Sequence, residues 1–278
     1  VYKRQVIELT DFGVAENMKL VEAGIPSPGP GQIVVKNIAI GLKDATQEEI
    51  ENAVSRITLD YFFLGGEEME AKENPMLVML DEDHGNRYAR MVEHKGLDGG
   101  ENDWLILDAV KEIRSWGYPE GRPLIVKSDG EAAIVTVRNA LMNMLGGAVT
   151  PEQPPKGESQ SNGAIENAGK TVREIMKVYK CVLEDRVGKL DDSMVIMQWM
   201  ARWAAMSYNR YQQGNDGMTP FQRQTERPCR HDVVPFGEKV LYRESKNKGG
   251  KKNIMDIKWK EGIWLGHMRS STEVLIGT

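Results

Sequence analysis

From residue 57 onward the chain alternates strand-like and helix-like segments, and this order restricts its possible folds more than any other feature. Apolar runs predict the strands and a helical apolar period predicts the helices. The predicted strands are 57–64, 75–82, 87–94 and 123–129, and the predicted helices are 104–116 and 132–145. The first three strands are spaced to form an antiparallel meander. The strand, helix, strand, helix order after them is typical of an α/β fold with a mixed sheet.

Two longer helices are expected further on. A loop rich in Pro, Gly, Gln and Ser at 151–163 precedes a predicted helix at 163–183, and a Trp-rich helix is expected at 193–212. Beyond residue 229 the strand-like runs FGEKVLYRE and GIWLGHM flank a basic loop, which predicts a small β module.

Composition limits the classes of function. The two cysteines, Cys181 and Cys229, lack the close spacing of a zinc site, and no apolar run is long enough to cross a bilayer. A net charge of −5 argues against a protein that coats nucleic acid. The segment 238–260 nevertheless holds eight basic residues against three acidic ones, and it is either a DNA-docking surface or a solvated loop. The chain starts at Val1 without a leader, so we expect an intracellular fragment.

Three carboxylates lie at positions in the predicted strands and helices where a functional side chain could be placed. Asp60 lies inside a strongly apolar strand, where a lone buried carboxylate would be costly. Asp129 follows the end of a buried strand, where α/β sheets commonly place ligand groups. Glu166 falls in the first turn of a helix, where a negative charge also favours the helix dipole and needs no function. None of the three is persuasive alone.

Their spacing is more specific. Between Asp129 and Glu166 lie 36 residues, and the glutamate sits in the stretch SQSNGAIEN at 159–167. This set of carboxylates resembles the catalytic signature of the retroviral and retrotransposon integrases. The resemblance covers about 57–225, and MTPFQRQTERP at 218–228 is similar to the segment that closes the core in copia-type elements.

The resemblance implies a ribonuclease H-like mixed five-stranded sheet flanked by helices. It also implies a polynucleotidyl transferase that trims DNA ends and joins them to target DNA through two Mg²⁺ or Mn²⁺ ions held by Asp60, Asp129 and Glu166. DNA contacts are expected from the loop and helix around the glutamate, namely from Gln160, Asn162, Lys170 and Arg173. For Lys170 the alternative is an ion pair with Glu166 on a solvated face. The implied partners are DNA and further copies of the chain, and the implied location is the nucleus.

Two departures from the family pattern concern the flanks of the motif. At the second aspartate many members carry Asp-x-Gly-x-Glu-Phe, whereas this chain has Asp129-Gly130-Glu131-Ala132-Ala133, and Glu158-Ser159 replaces a frequent His-Pro. Neither change removes a carboxylate. They therefore put the subfamily and the substrate contacts in doubt more than the chemistry.

Residues 1–41 form a separate β leader in our interpretation. Two strand-like stretches flank PSPGPG at 26–31, a pattern that resembles the N-terminus of medium-chain quinone oxidoreductases. No GxGxxG follows a strand downstream, so we expect no nicotinamide cofactor. The predicted divisions are the leader at 1–41, an acidic junction at 42–56, a catalytic core at 57–228 and a basic β module at 229–278.

Other functions remain open at this stage. A related transposase would use the same three carboxylates, and a degenerate relic would bind nucleic acid without reacting. Asp81, Glu82 and Asp83 near the end of the second strand suggest a ribonuclease H with an additional carboxylate. The helix position of Glu166 after the SQSNG loop favours the integrase arrangement over that one.

Overall fold

The computed structural model describes residues 4–9, 18–23, 54–64, 74–97, 103–154, 162–243, 259–269, 271 and 273–278. The chain divides into two compact units, Val1–Ala53 and Val54–Thr278. In the first unit, β1 (Arg4–Leu9) and β2 (Met18–Ala23) pair antiparallel. Both strands precede the Pro/Gly cluster at 26–31, which lies outside the described residues together with most of the acidic junction.

The second unit contains a five-stranded sheet, and four of its strands follow the predicted segments closely. The five strands are β3 (Ser55–Phe62), β4 (Met76–Asp81), β5 (Arg87–Met91), β6 (Leu124–Ser128) and β7 (Val149–Glu152). Their spatial order is β5-β4-β3-β6-β7. The pairs β5–β4 and β4–β3 are antiparallel, whereas β3–β6 and β6–β7 are parallel.

Helices cover both faces of this sheet. They are α1 (Asp103–Ser115), α2 (Ala132–Leu145), α3 (Gly163–Val187), α4 (Val195–Tyr211) and the short α5 (Pro220–Thr225). Side chains alternate along a strand, so Ile57 and Leu59 pack with α1 and α2 while Phe62 packs against the core formed with α3 and α4. Among the helices of the described ranges, none combines the length and apolar character that a membrane crossing requires.

This mixed five-stranded sheet flanked by helices is the ribonuclease H-like arrangement that the sequence predicts, and the fold prediction is confirmed. One strand, β7, was not predicted. It has only four residues and contains Pro151, which cannot donate a ladder hydrogen bond and is tolerated because β7 is an edge strand.

A second, three-stranded antiparallel sheet lies near the C-terminus. It consists of β8 (Lys239–Tyr242), β9 (Lys260–His267) and β10 (Val274–Gly277), in the order β10-β9-β8. Trp264 of β9 meets Trp203 of α4 edge to face, with ring centroids 4.7 Å apart. At Gly266 a Cβ would lie 2.6 Å from the same Trp203 ring.

The described part of 229–278 therefore shares the core built by α3 and α4. Most of the basic loop, at 244–258, lies outside the described residues. The domain boundaries predicted after residues 41, 56 and 228 stay predictions.

Candidate functional site

Asp60 and Asp129 are neighbours near the carboxyl ends of two central strands of the large sheet, β3 and β6. In the parallel pair β3–β6, Leu59 is registered with Ser128. The residues that follow them, Asp60 and Asp129, are therefore neighbours. Adjacent strands are about 4.8 Å apart, and parallel strands end at the same edge. The two carboxylates predicted from separate segments are thus brought together by strand direction and register.

The environment of Asp60 disfavours its charged form. Burial raises the pKa of the Asp60 carboxyl to about 6, and the neighbouring Asp129 and Glu131 carboxylates act in the same direction. The backbone N–H of Tyr61, which donates to Oδ1 at 2.8 Å, and the Lys95 ammonium oppose this shift. A cation placed between the two aspartates would relieve their repulsion.

A pH dependence of stability follows from this carboxyl. Its folded-state pKa lies above the ordinary 3.8, so the folded chain holds the proton more tightly than the unfolded chain does. The stabilisation is present below about pH 4 and is lost as the pH rises through about 6. Relative to Asp60→Asn, the free energy of unfolding of the wild type should fall by on the order of 2 kcal/mol between about pH 4 and pH 7.

Urea denaturation of the two proteins across this pH range, without added metal, measures the difference. The comparison with Asp60→Asn cancels the contribution of the other titrating groups. A difference that stays constant with pH would contradict the environment described for Asp60.

Asp129 is held by the turn that leads from β6 into α2. Its Oδ1 accepts the backbone N–H of Glu131 at 3.1 Å, and the hydroxyl of Ser128 donates to its backbone carbonyl at 3.0 Å. Arg138 of α2, which is buried, donates from Nη1 to the Ser128 hydroxyl and to the Glu152 carbonyl, both at 3.3 Å. The ends of β6 and β7 are therefore tied to one helix, and Asp129 has a fixed backbone.

Lys95 and Glu131 also belong to this site, and sequence reasoning assigned neither a role. The Lys95 ammonium donates to both carboxylate oxygens of Glu131, at 2.8 and 2.9 Å. Glu131 stands two residues after Asp129, a proximity visible in the sequence. Lys95 lies 36 residues from Glu131 in the chain, and no local pattern points to it.

Glu166 is placed in the first turn of α3, as predicted, and it is exposed. Helix α3 approaches the sheet very closely at Gly169, where a Cβ would meet the Phe62 ring at 2.4 to 2.6 Å. Phe62 lies two residues beyond Asp60 and therefore on the same face of β3. The glycine thus allows the helix that carries Glu166 to lie against the end of the strand that carries Asp60.

The structure does not gather the three predicted carboxylates into one group. Within the described ranges, no three His, Cys, Asp or Glu side chains lie close enough together to hold a metal ion. Asp60 and Asp129 supply hard oxygen ligands of the type that Mg²⁺ prefers, so this pair fits a divalent cation. Glu166 is not part of the pair in this arrangement.

The residues predicted to contact DNA differ in their surroundings. Lys170 is exposed, and in the described part of the chain no ion pair links it to Glu166. Arg173 donates from Nη1 to the Phe63 carbonyl at 3.2 Å and lies 5.5 Å from the Phe62 ring centroid, so it ties α3 to the end of β3. Asn162 is half-buried before the first turn of α3, and Gln160 lies outside the described residues.

Asp81 belongs to a different part of the sheet. Because β4 runs antiparallel to β3, Asp81 is registered with Ile57, about 10 Å along the strand from Asp60. It is fully buried and accepts hydrogen bonds from Tyr118 at 2.7 Å and Asn86 at 3.1 Å, and its other close partner is the His84 ring at 2.8 Å. Burial alone would raise the Asp81 pKa, but these hydrogen bonds outweigh it and lower the pKa. Asp81 is therefore a structural carboxylate and not the additional ligand of a ribonuclease H.

Several solved structures are similar to the chain in fold. They include the catalytic core domain of BIV integrase (14% identity, TM-score 0.40, 62% of this chain and 93% of that one). The simian T-cell lymphotropic virus intasome in complex with PP2A regulatory subunit B56 gamma is similar at 14% identity and TM-score 0.45, over 76% and 69% of the two chains. The HTLV-2 integrase catalytic core with magnesium, in a dimeric form, is similar at 12% identity and TM-score 0.40, over 62% and 95%.

At these identities the similarity is one of fold and does not extend to activity. No protein-family model matches the chain, and no curated protein matches it.

Proposed function

We propose that the chain carries the catalytic core of a copia-type retroelement integrase, which trims DNA ends and joins them to target DNA in the nucleus. The observation that carries the proposal is the parallel register that puts Asp60 beside Asp129 at the carboxyl edge of a ribonuclease H-like sheet. The spacing to Glu166 within SQSNGAIEN supports it. In this proposal the catalytic core is 57–228. The leader at 1–41 and the acidic junction at 42–56 precede it, and the basic β module at 229–278 follows it.

Asp60, Asp129 and Glu166 would hold two Mg²⁺ or Mn²⁺ ions. When bound, such ions supply activation of an attacking oxygen and neutralisation of charge on the phosphate. Asp60 would lose its proton and bind as a carboxylate, and Asp129 would offer its Oδ2 from the turn that holds its Oδ1. Glu166, exposed on the first turn of α3, would join the two aspartates only in the presence of metal and DNA.

The surface around the pair would receive DNA. Lys170, one turn beyond Glu166, is exposed and available for a phosphate contact, and Asn162 and Gln160 precede the same helix. Arg173 would act mainly by holding α3 against β3, because its guanidinium already has partners there. Further copies of the chain would complete the assembly that holds two DNA ends.

A second candidate is a relic that binds nucleic acid without reacting. The absence of a three-carboxylate group among the described residues favours it. The relic and the enzyme differ in one outcome, which is whether a DNA strand is joined.

A strand-joining assay tests the proposal. Purified full-length chain is incubated with labelled short duplexes that carry blunt or recessed 3′ ends and with a longer target duplex. We expect labelled strands covalently joined to the target when Mn²⁺ or Mg²⁺ is present and none when the metal is removed with a chelator. Metal-independent DNA binding without joining would establish the relic, and the absence of both binding and joining would reject the nucleic-acid function altogether.

A further inference from the structure

Lys95 occupies a fixed position beside the two aspartates. Its ammonium lies 5.0 Å from the Phe63 ring centroid and 5.7 Å from that of Tyr61, the residue that follows Asp60. The next residue, Gly96, donates its N–H to the Tyr61 hydroxyl at 3.1 Å. Lys95 is thus anchored both by the aromatic rings at the end of β3 and through its neighbouring backbone.

The same ammonium restrains Glu131. It donates to both carboxylate oxygens of Glu131, and the Glu131 backbone N–H donates to Asp129. The side chains of Lys95 and Glu131 are 25% and 44% exposed, so the pair contributes little to stability by itself. Its importance lies in its location, because both charges act electrostatically on Asp60.

The local charges balance the charge of one divalent cation. The carboxylates of Asp60, Asp129 and Glu131 and the ammonium of Lys95 give a net charge of −2 when all four are ionised. Loss of the Lys95 charge would make this −3, and neutralisation of Glu131 would make it −1. The attraction for a cation in the Asp60–Asp129 pair should follow these changes.

We propose that Lys95 and Glu131 are positioning residues that set the affinity of the Asp60–Asp129 pair for a divalent cation. Lys95 lowers this affinity by its positive charge and by keeping Glu131 bound to itself. Glu131 raises it by its own charge and by binding the Lys95 ammonium. The inference rests on the proposed metal site and deepens it, since nothing in the integrase motif assigns either residue.

Mn²⁺ binding to the full chain, measured from the electron paramagnetic resonance signal of free Mn²⁺, tests the inference without DNA or catalysis. We expect Lys95→Met to bind Mn²⁺ roughly fivefold more tightly than the wild type and Glu131→Gln roughly fivefold more weakly. Lys95→Arg keeps the charge and should keep the wild-type affinity. Lys177→Met, which breaks a Lys177–Glu174 pair of the same 2.8 Å length on α3, is the matched control and should bind as the wild type does.

The direction of the two shifts decides between a positioning role and a merely structural ion pair. A structural pair would lower the melting temperature of both variants and leave Mn²⁺ affinity unchanged, which overturns the inference. Shifts of Lys95→Met and Glu131→Gln in the same direction overturn it as well. If Asp129→Asn abolishes Mn²⁺ binding while these two variants bind normally, the metal site stands and only the inference fails. If the wild type binds no Mn²⁺, both fail.

Discussion

Replacing Asp129 by asparagine is expected to reduce metal-dependent strand joining by on the order of a hundredfold or more, because an amide neither carries the charge nor binds the cation as a carboxylate does. The fold should survive. Asp129 is half-buried at the end of β6, asparagine has the same shape, and its carbonyl oxygen can still accept the Glu131 N–H. Removing one of two adjacent like charges should also slightly stabilise the unit in the absence of metal.

Joined product per unit time, at saturating Mn²⁺, measures the effect. Asp191→Asn is the matched control. Asp191 is an exposed aspartate between α3 and α4 that accepts the Ser193 N–H, and its replacement should leave joining unchanged. Equal joining by wild type and Asp129→Asn would reject the metal site. Full joining by Glu166→Gln would instead retain the Asp60–Asp129 pair and remove Glu166 from the site.

The second large effect concerns stability. Trp203→Ala should lower the free energy of unfolding by about 3 to 5 kcal/mol, the range for truncating a buried aromatic side chain. Trp203 is 1% exposed and contacts both Trp264 and the backbone at Gly266, so its loss opens a cavity between α4 and the C-terminal sheet. Equilibrium unfolding in urea gives the magnitude.

Trp104→Ala is the control for this measurement. Trp104 is 46% exposed on α1, and its truncation should cost less than about 1 kcal/mol. If both tryptophan variants were equally mild, the C-terminal sheet would not share the core of the large sheet. Faster proteolysis of 229–278 in Trp203→Ala than in Trp104→Ala would give a second, independent reading of the same contact.

Much of the fold was predictable because hydrophobic periodicity reports local structure. The buried strand β4 and helix α1 lie within one residue of their predicted bounds at both ends. The missed strand β7 is held by its neighbour β6 and not by its own composition, since Pro151 is unfavourable in a strand interior. A short edge strand of this kind is determined by tertiary contacts that sequence patterns do not contain.

The site was predictable only in part, for a similar reason. Asp129 follows from the end of a predicted strand, and Asp60 from its place as a carboxylate inside an apolar strand. The sequence suggested Asp81 as an additional carboxylate, and the antiparallel direction of β4 separates it from the pair. Lys95 reaches the site from a loop after β5, which the sequence pattern does not indicate. Its hydrogen bond with Glu131 shows that Glu131 belongs to the site as well. That Glu166 binds the same metal ions as Asp60 and Asp129 stays a prediction.

The close packing at Gly169 links the fold to the proposed metal site. With three Phe62 ring atoms within 2.6 Å of where its Cβ would be, any larger residue must displace either the ring or the helix, and Glu166 is less than one turn away. A population of variants selected only for solubility would accept some substitutions at this position, with the helix shifted outward. A population selected for joined DNA should retain glycine there, although Gly169 itself is buried.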